Sequence, residues 1–546
     1  MKRILVRKDA YYDSVFLMLA TRELEGTEGV DGAVVAMGTP MNLELLTGLG
    51  YGSAEGGGAL ASAGPGDLVV AVDCADAAAA EKAIALAIDL VTKKKGPAAQ
   101  AGQAYPRAAS TAGALKLLPE ANLAIVSVPG AYAAREARLA LERGLHVMVF
   151  SDNVSLEDEI ALKTLAASKG LLLMGPDCGT AIIGGKPLCF ANVVARGPVG
   201  IVAASGTGLQ EVSCLVDRAG VGVSQAIGCG GRDLKNAKVG GMTSLLAIEG
   251  LERDPETKVL LVVSKPPAPE TAAKVVAALE RGGKPAVAHF LGLKDRPADR
   301  DPVYHAASLE EAAALAAAFA KNGADAAARM AAAAAVRARL DAEAAQGFGE
   351  LAGREAARLA PGQKFLRGLY AGGTVADEAL FIADAALGQV RSNNQTDPSL
   401  VLADPRISEG HTIVDLGDDA FTVGKPHPMI DPSQRNARIV EEGKDPSTAV
   451  LLLDVVLGYG SHDDPAGASL EAIAGARAAA AARGGYLPVV ASVIGTGADP
   501  QGYGAQVAKL EAAGVVVMPS NRRAALLAVE IAKAAARGSS AKGGAR

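Results

Sequence analysis

At 546 residues the chain has room for three or four domains with ample core. Half of it is apolar, aromatics make up 3% and Trp is absent, so Ala- and Gly-rich helices must pack closely on sheets with few aromatic anchors. A formal net charge of −6 with both signs interspersed excludes the basic face of a nucleic-acid protein, and no uninterrupted apolar run of about 18 residues marks a membrane span.

The N-terminal Met1-Lys2-Arg3-Ile4-Leu5 stretch lacks the long apolar core of a signal peptide. The cysteines, Cys74, Cys178, Cys189, Cys214 and Cys229, are odd in number and form no Cys-x-x-Cys. That suits a reducing cytoplasm and offers no zinc framework, so no metal site is assigned. Residues 1–95 read as a small N-terminal α/β domain with strands at Arg3–Arg7, Gly32–Ala36 and Asp67–Val72, a helix from Ala75 to Lys93, and a split βαβ layout; Gly56–Gly66 reads as loop. Residues 96–112 read as a linker.

Strands then alternate with helices of about 10–15 residues, the pattern of parallel, doubly wound sheets. In 113–196 the strands are Leu123–Val128, His146–Phe150 and Leu171–Met174; in 197–321 they are 199–203, 222–227, 258–263 and 285–290. Residues 322–362, rich in Ala, Arg and Glu and poor in large apolar side chains, read as a surface helix and linker. A last α/β unit runs from 363 to 537, with buried strands at Val450–Val456 and Pro488–Val493, and the tail beyond Arg537 reads as disordered by composition. The expected fold class is thus α/β, several doubly wound Rossmann/flavodoxin-like parallel-sheet domains preceded by a small N-terminal α/β domain.

Ligands in such sheets sit beyond the carboxyl ends of strands. The strand Val199–Ala203 runs into Ser205-Gly206-Thr207-Gly208 and then a helix, and such a turn offers amide groups and the positive end of a helix dipole to an anion. The neighbouring strand end carries Gly228-Cys229-Gly230-Gly231-Arg232-Asp233, and the two turns are expected to face one crevice. Lys265, rigidly followed by Pro266 and Pro267, is either a cation for that crevice or a solvated lysine. Val128-Pro129-Gly130, Ser151-Asp152-Asn153 and Gly175-Pro176-Asp177 lie at strand ends of the preceding unit; Asp152 and Asn153 equally suit the cap of the helix near Ser155.

The last unit concentrates Asp415, Asp418, Asp419, Lys425, His427, Asp431, Asp454, His462, Asp463 and Asp464 near strand ends. His427, Asp415 and Asp454 are its catalytic candidates, as acid and base or as oxygen ligands for Mg²⁺. Turn aspartates are the ordinary alternative. No His-x-x-x-His spacing points to catalytic zinc.

The order of these segments resembles the α subunit of succinyl-CoA synthetase. Gly175-Pro176-Asp177-Cys178-Gly179 is similar to that family's Gly-Pro-Asn-Cys-Pro turn, and the Ser-Gly-Thr loop and the Gly-x-Gly-Gly-x-Asp turn follow in order. Within that superfamily the chain is identified as a member of the FdrA family of acyl-CoA synthetase-like proteins. The carrying runs are Phe150–Glu159, Gly175–Thr180, Ala204–Gly208, Gly230–Leu234, Ser264–Pro267 and Thr422–Pro432. The resemblance implies CoA-binding-like loops at Val128, Pro129, Ser151–Asn153, Gly175 and Pro176, and an anion site at Ser205–Gly208, Gly230–Arg232 and Lys265.

Three departures bear on activity. No Gly-rich CoA fingerprint precedes Leu123. The interval from Leu291 to Ser308 is too short for the phosphohistidine loop, and His305 lies in the final strand. No ATP-grasp domain is present. The resemblance therefore implies a subunit of a multi-protein enzyme that uses carbamoyl or acyl phosphate, such as the oxamate carbamoyltransferase of purine and allantoin degradation. The alternatives are an acyl-CoA synthetase subunit working with a partner and a non-catalytic CoA- or nucleotide-binding regulatory subunit. Candidate cofactors are CoA and Mg²⁺. Candidate partners are other subunits or a second copy of the chain, with neither nucleic acid nor membrane.

Overall fold

The computed structural model describes residues 1–546 other than 11, 13, 93–107, 294–295, 423–424 and 544–546, so most of the expected 96–112 linker lies outside the described residues. Two units are distinguished: Met1–Ala108 with Phe421–Pro426, and Ala109–Ala420 with His427–Arg546.

In the first unit β1 (Lys2–Arg7), β2 (Val30–Met37) and β3 (Leu68–Cys74) form a sheet of order β1-β3-β2, with β3 antiparallel to both neighbours. This is the split βαβ layout. One core joins Leu17, Leu24, Val70, Val72 and Ala83; a second, of Ile4, Leu46, Tyr51, Leu60 and Val69, takes in the segment read as loop, where Gly57–Ser62 forms a 3₁₀ turn.

In the second unit β4 (Leu123–Val126), β5 (His146–Val149) and β6 (Leu173–Met174) form a parallel sheet. It is followed by β7 (Thr180–Ile183), β8 (Lys186–Cys189), β9 (Arg196–Ala204), β10 (Val223–Gly228), β11 (Val259–Ser264), β12 (Ala286–Phe290) and β13 (Val303–His305). These seven make one sheet, β13-β12-β11-β9-β10-β7-β8, parallel except for the β7–β8 hairpin at its edge. The hairpin was not foreseen from the sequence. Then β14 (Phe365–Tyr370), β15 (Thr412–Asp415), β16 (Thr448–Val456), β17 (Val489–Ile494) and β18 (Val516–Met518) form an all-parallel sheet, β15-β14-β16-β17-β18.

Counted from β9 and from β14, both sheets have the flavodoxin-like order 2-1-3-4-5, in which the chain reverses direction between the first and third strands. Their strands are buried on both faces and read as nearly continuous Val, Leu, Ile and Ala, the signature of covered parallel sheets.

Two sequence expectations are corrected. The segment read as a surface helix and linker is one helix, Ala326–Ala356, which sinks Ala333, Val336, Leu340, Phe348 and Ala352 into the largest core. Its small side chains let it pack closely, so a scarcity of large residues was no sign of exposure. The tail expected to be disordered continues the helix Asn521–Gly543 past Arg537.

Candidate functional site

The helix Gly206–Arg218 follows β9 and the helix Gly373–Leu387 follows β14, so each starts where its sheet reverses direction. The two starts abut. Ser205 occupies the N-cap position but makes no cap hydrogen bond; its hydroxyl donates to Thr374 Oγ1 at 2.8 Å. In return the Thr374 amide donates to Thr207 Oγ1 at 3.2 Å. Among the described residues, the amides of Gly206 and Gly208 make no hydrogen bond, and Gly206 is exposed while Ser205 and Thr207 are buried. Two positive helix ends thus converge, with amide donors still unspent.

Lys265, just beyond β11, completes this arrangement. Its Nζ is 3.0 Å from Asp377 Oδ2, and its side chain is 30% exposed, enough for a ligand to reach it. Burial alone would lower the ammonium, but Asp377, Asp415 and Asp177 hold it above its ordinary value. A Cβ on Gly373 would lie 2.5 Å from Asp415 Oδ2 and 3.2 Å from Lys265 Nζ, so the helix start, the carboxylate and the ammonium are mutual neighbours. Lys265 is therefore ion-paired and not merely solvated.

Asp415, at the end of β15, is pushed up to about 6 by burial, with Asp377 adding to the shift and Lys265 opposing it. Its Oδ1 accepts from the Gly417 amide at 2.9 Å and its Oδ2 from Asn394 Nδ2 at 3.1 Å. His427 lies close by: a Cβ on Gly417 would be 2.6 Å from His427 Nε2 and 3.1 Å from Asp415 Oδ1. Its Nδ1 accepts from the Met429 amide at 3.2 Å, which leaves the proton of the neutral ring on Nε2. Burial lowers this imidazole to about 4.

Asp454 is in a different position. It is fully buried in β16, and its two oxygens accept from Ala371 and Gly372, each at 2.8 Å, while Arg435 pairs with it at 3.2 Å. It shapes the loop that launches the Gly373 helix and does not face the opening. Asp418 receives the Ala420 amide, His462 receives the Asp464 amide, and Asp464 pairs with Lys509.

The neighbouring turn is closed. Gly230 sits at φ +83°, and a Cβ there would meet the Pro176 carbonyl oxygen at 2.3 Å. Asp233 accepts from Thr243, Ser244 and the buried Lys163. Arg232 donates to the Val154 carbonyl at 2.7 Å and pairs with Glu159 at 2.7 Å. A Cβ on Gly231 would lie 3.6 Å from Asp177 Oδ2.

In the unit before, Ser151 is spent on Val128, accepting from its amide at 3.0 Å and donating to its carbonyl. The cap of the helix Leu156–Ser168 is Ser155, so Asp152 and Asn153 are released from the capping role and are exposed. The helix start after Pro129 is closed off: a Cβ on Gly130 would lie within 2.4–2.5 Å of the Asp152 and Asn153 carbonyl oxygens. Gly175 and Pro176 carry the Gly230 contact and join Met174 to Asp177. These loops present carbonyl and carboxylate oxygens, a poor donor set for the phosphates of CoA. Among the described residues no group of three or more His, Cys, Asp or Glu is placed to hold a metal, so Mg²⁺ gains no ligand set. Burial raises the Cys178 thiol to about 12, which fits a packing role for this residue.

Sequence reasoning missed Thr374, Asp377 and Asn394 as site residues. Asp177 is exposed, with Asp152 and Asp419 crowding its charge and Lys265 opposing them. The Gly-Pro-Asp turn that carries it is among the strand-end turns the sequence singles out, and Thr374 in a Gly-Gly-Thr helix start was a usable signal. Asp377 and Asn394 had none.

The CoA-ligase family profile matches residues 369–531, and the profile of the AllF heavy metal-associated domain matches 1–107. The chain is 44% identical to the uncharacterized protein YahF of Escherichia coli K12 over 97% of its own length and 98% of that protein. It is 29% identical to the succinate–CoA ligase [ADP-forming] subunit alpha of Aquifex aeolicus over 33% of its length and 59% of that subunit. With the corresponding subunit alpha 2 of Archaeoglobus fulgidus it shares 27% identity over 35% and 66%. The chain thus spans less than two thirds of these ligase subunits.

Proposed function

The chain belongs to the FdrA family of acyl-CoA synthetase-like proteins, within the succinyl-CoA-ligase-like superfamily, and from that premise we propose that it is a transferase subunit acting on carbamoyl phosphate or a similar acyl phosphate. The observation that carries this reading is the pair of abutting helix starts with unspent amides beside Lys265. The phosphate lies over Gly206 and Gly373 with Lys265 as its counter-ion. The acceptor amine attacks the carbonyl carbon, the bond from that carbon to the bridging oxygen breaks, and phosphate leaves. Asp415, a carboxyl with its proton affinity near neutrality, takes the proton released by the amine. His427 Nε2–H hydrogen-bonds the carbonyl oxygen as charge develops on it, and Asp454 positions the Gly373 helix start. Oxamate, an amide acid, is the acceptor implied by the family resemblance, in purine or allantoin breakdown.

A second reading has support from the CoA-ligase profile over 369–531: the same crevice handles an acyl phosphate made by a partner subunit and passes the acyl group to CoA. Isothermal titration of the full chain, alone and with co-expressed genomic neighbours, separates the two. Carbamoyl phosphate binding without CoA binding supports the transferase. Tight CoA binding with no response to carbamoyl or acetyl phosphate overturns it in favour of the ligase.

A further inference from the structure

The two oxygens of Asp415 have different neighbours. Oδ2 accepts from Asn394 Nδ2 at 3.1 Å, and a Cβ on Gly373 would lie 2.5 Å from it and 3.2 Å from Lys265 Nζ. Oδ1 accepts from the Gly417 amide at 2.9 Å, and a Cβ on Gly417 would lie 3.1 Å from it and 2.6 Å from His427 Nε2. One oxygen thus belongs to the lysine side of the residue and the other to the histidine side.

The same Asn394 nitrogen also donates to Asp377 Oδ1 at 3.1 Å, while Asp377 Oδ2 lies 3.0 Å from Lys265 Nζ. Asp377 and Asp415 are both buried, and one side-chain nitrogen bridges them. With nothing between them, two buried carboxylates tend to share one proton, because like charges held together do not both ionise. An amide nitrogen has two hydrogens to give and accepts none. Here it gives one to each carboxylate, so the oxygens that meet across it are both acceptors and neither carries a proton. The loop that holds Asn394 is built around the same residue. Asn393 Nδ2 donates to the Asp415 carbonyl at 2.9 Å, and Asn393 Oδ1 accepts from the Asp415 amide at 3.0 Å. The Asn394 amide itself donates to the buried Ser392 hydroxyl at 3.0 Å.

We propose that Asn394 is a positioning residue: it keeps Asp377 and Asp415 from sharing a proton, leaves Asp377 to Lys265, and directs the proton that Asp415 accepts to Oδ1, on the His427 side. This rests on the reading of Asp415 as the base of the transfer step. The proton leaves the attacking amine and bonds to the Oδ1 lone pair that the Gly417 amide does not use, while Asn394 keeps both of its hydrogens. Of the charged groups around this carboxyl, Asp377 favours the proton and Lys265 opposes it.

The test is a carbon-13 carboxyl NMR titration of the full chain, with the Asp415 signal assigned through Asp415→Asn, beside the pH dependence of kcat and KM for carbamoyl phosphate. A hydrogen bond to a carboxylate favours its ionised form, so in Asn394→Leu the Asp415 carboxyl should hold its proton about ten- to a hundredfold more tightly. At pH 7 kcat should then fall about two- to tenfold and recover at higher pH. KM should change by less than about twofold, since Lys265 keeps its place, whereas a merely structural role would raise KM and leave the pH profile where it was. In the unmodified protein both Asn394 side-chain amide protons should shift as Asp415 titrates at about 6, a readout that stands if Asn394→Leu does not fold. Should the chain transfer no carbamoyl group, the transferase reading fails and the two NMR readouts still decide this one. An unchanged Asp415 titration in Asn394→Leu, or Asn394 amide signals that do not follow the titration, overturns the proposal.

Discussion

Two glycine-rich turns sit at adjacent strand ends of one sheet. The turn after β9 leaves the exposed Gly206 amide unspent and places a helix start opposite a second one. The turn after β10 presses Gly230 onto Pro176, gives Asp233 to four internal donor groups on Thr243, Ser244 and Lys163, and ties Arg232 to Val154 and Glu159. Glycine content is the same signal in both. What separates them is the element each meets: another helix start in one case, a neighbouring carbonyl in the other. A glycine-rich turn is a site only where its amides are left unpaired.

The largest effect should come from the closed turn. Gly230→Ala must hold a left-handed backbone, at about 1–3 kcal/mol, and also displace the Pro176 carbonyl, so chemical denaturation should show a marked loss of stability. Gly206→Ala meets nothing within 4 Å and should alter stability by no more than about 0.5 kcal/mol. Equal losses at the two positions would erase the distinction.

Next in size is Lys265→Ala. Losing one charge-assisted bond to a phosphate should weaken carbamoyl phosphate binding about ten- to a hundredfold by calorimetry, whereas Arg232→Ala should leave it nearly unchanged. A stronger effect at Arg232 would move the anion to the other turn.

The lock between the helix starts is a smaller effect. Ser205→Ala and Thr374→Val should each cost about 0.5–1.5 kcal/mol in urea unfolding, and the double variant should cost clearly less than their sum, because both remove one hydrogen bond. Strict additivity would mean that the hydroxyl pair contributes nothing.

The smallest effect is in pH dependence. Folded Asp415 holds its proton more tightly than the unfolded chain does, so its contribution to stability is full below its ordinary 3.8 and is lost as pH rises through about 6. The stability difference between the wild type and Asp415→Asn should fall over that window. Transfer activity should rise through the same pH as the base ionises.

Much of the fold was legible because buried parallel strands read as apolar runs with turn residues after them. The β9, β11, β16 and β17 segments are of this kind. Sheet order and the pairing of the two helix starts were not legible, since Ser205 and Thr374 are 169 positions apart and meet only through the fold. The candidate site is legible only in halves: Ser205–Gly208 and Lys265 on one side, Asp415 and His427 on the other. Asp377 and Asn394, which link Lys265 to Asp415, carry no local motif. The long helix Ala326–Ala356 was misread because alanine supplies packing surface without a strong apolar signal.

The most direct test is a crystal structure of the full chain soaked with phosphate or carbamoyl phosphate. The anion is expected over the starts of the Gly206 and Gly373 helices, with oxygens about 2.7–3.2 Å from the Gly206 amide and Lys265 Nζ. Density at the Gly228–Asp233 turn instead, or none at the paired helix starts under saturating ligand, would contradict the account.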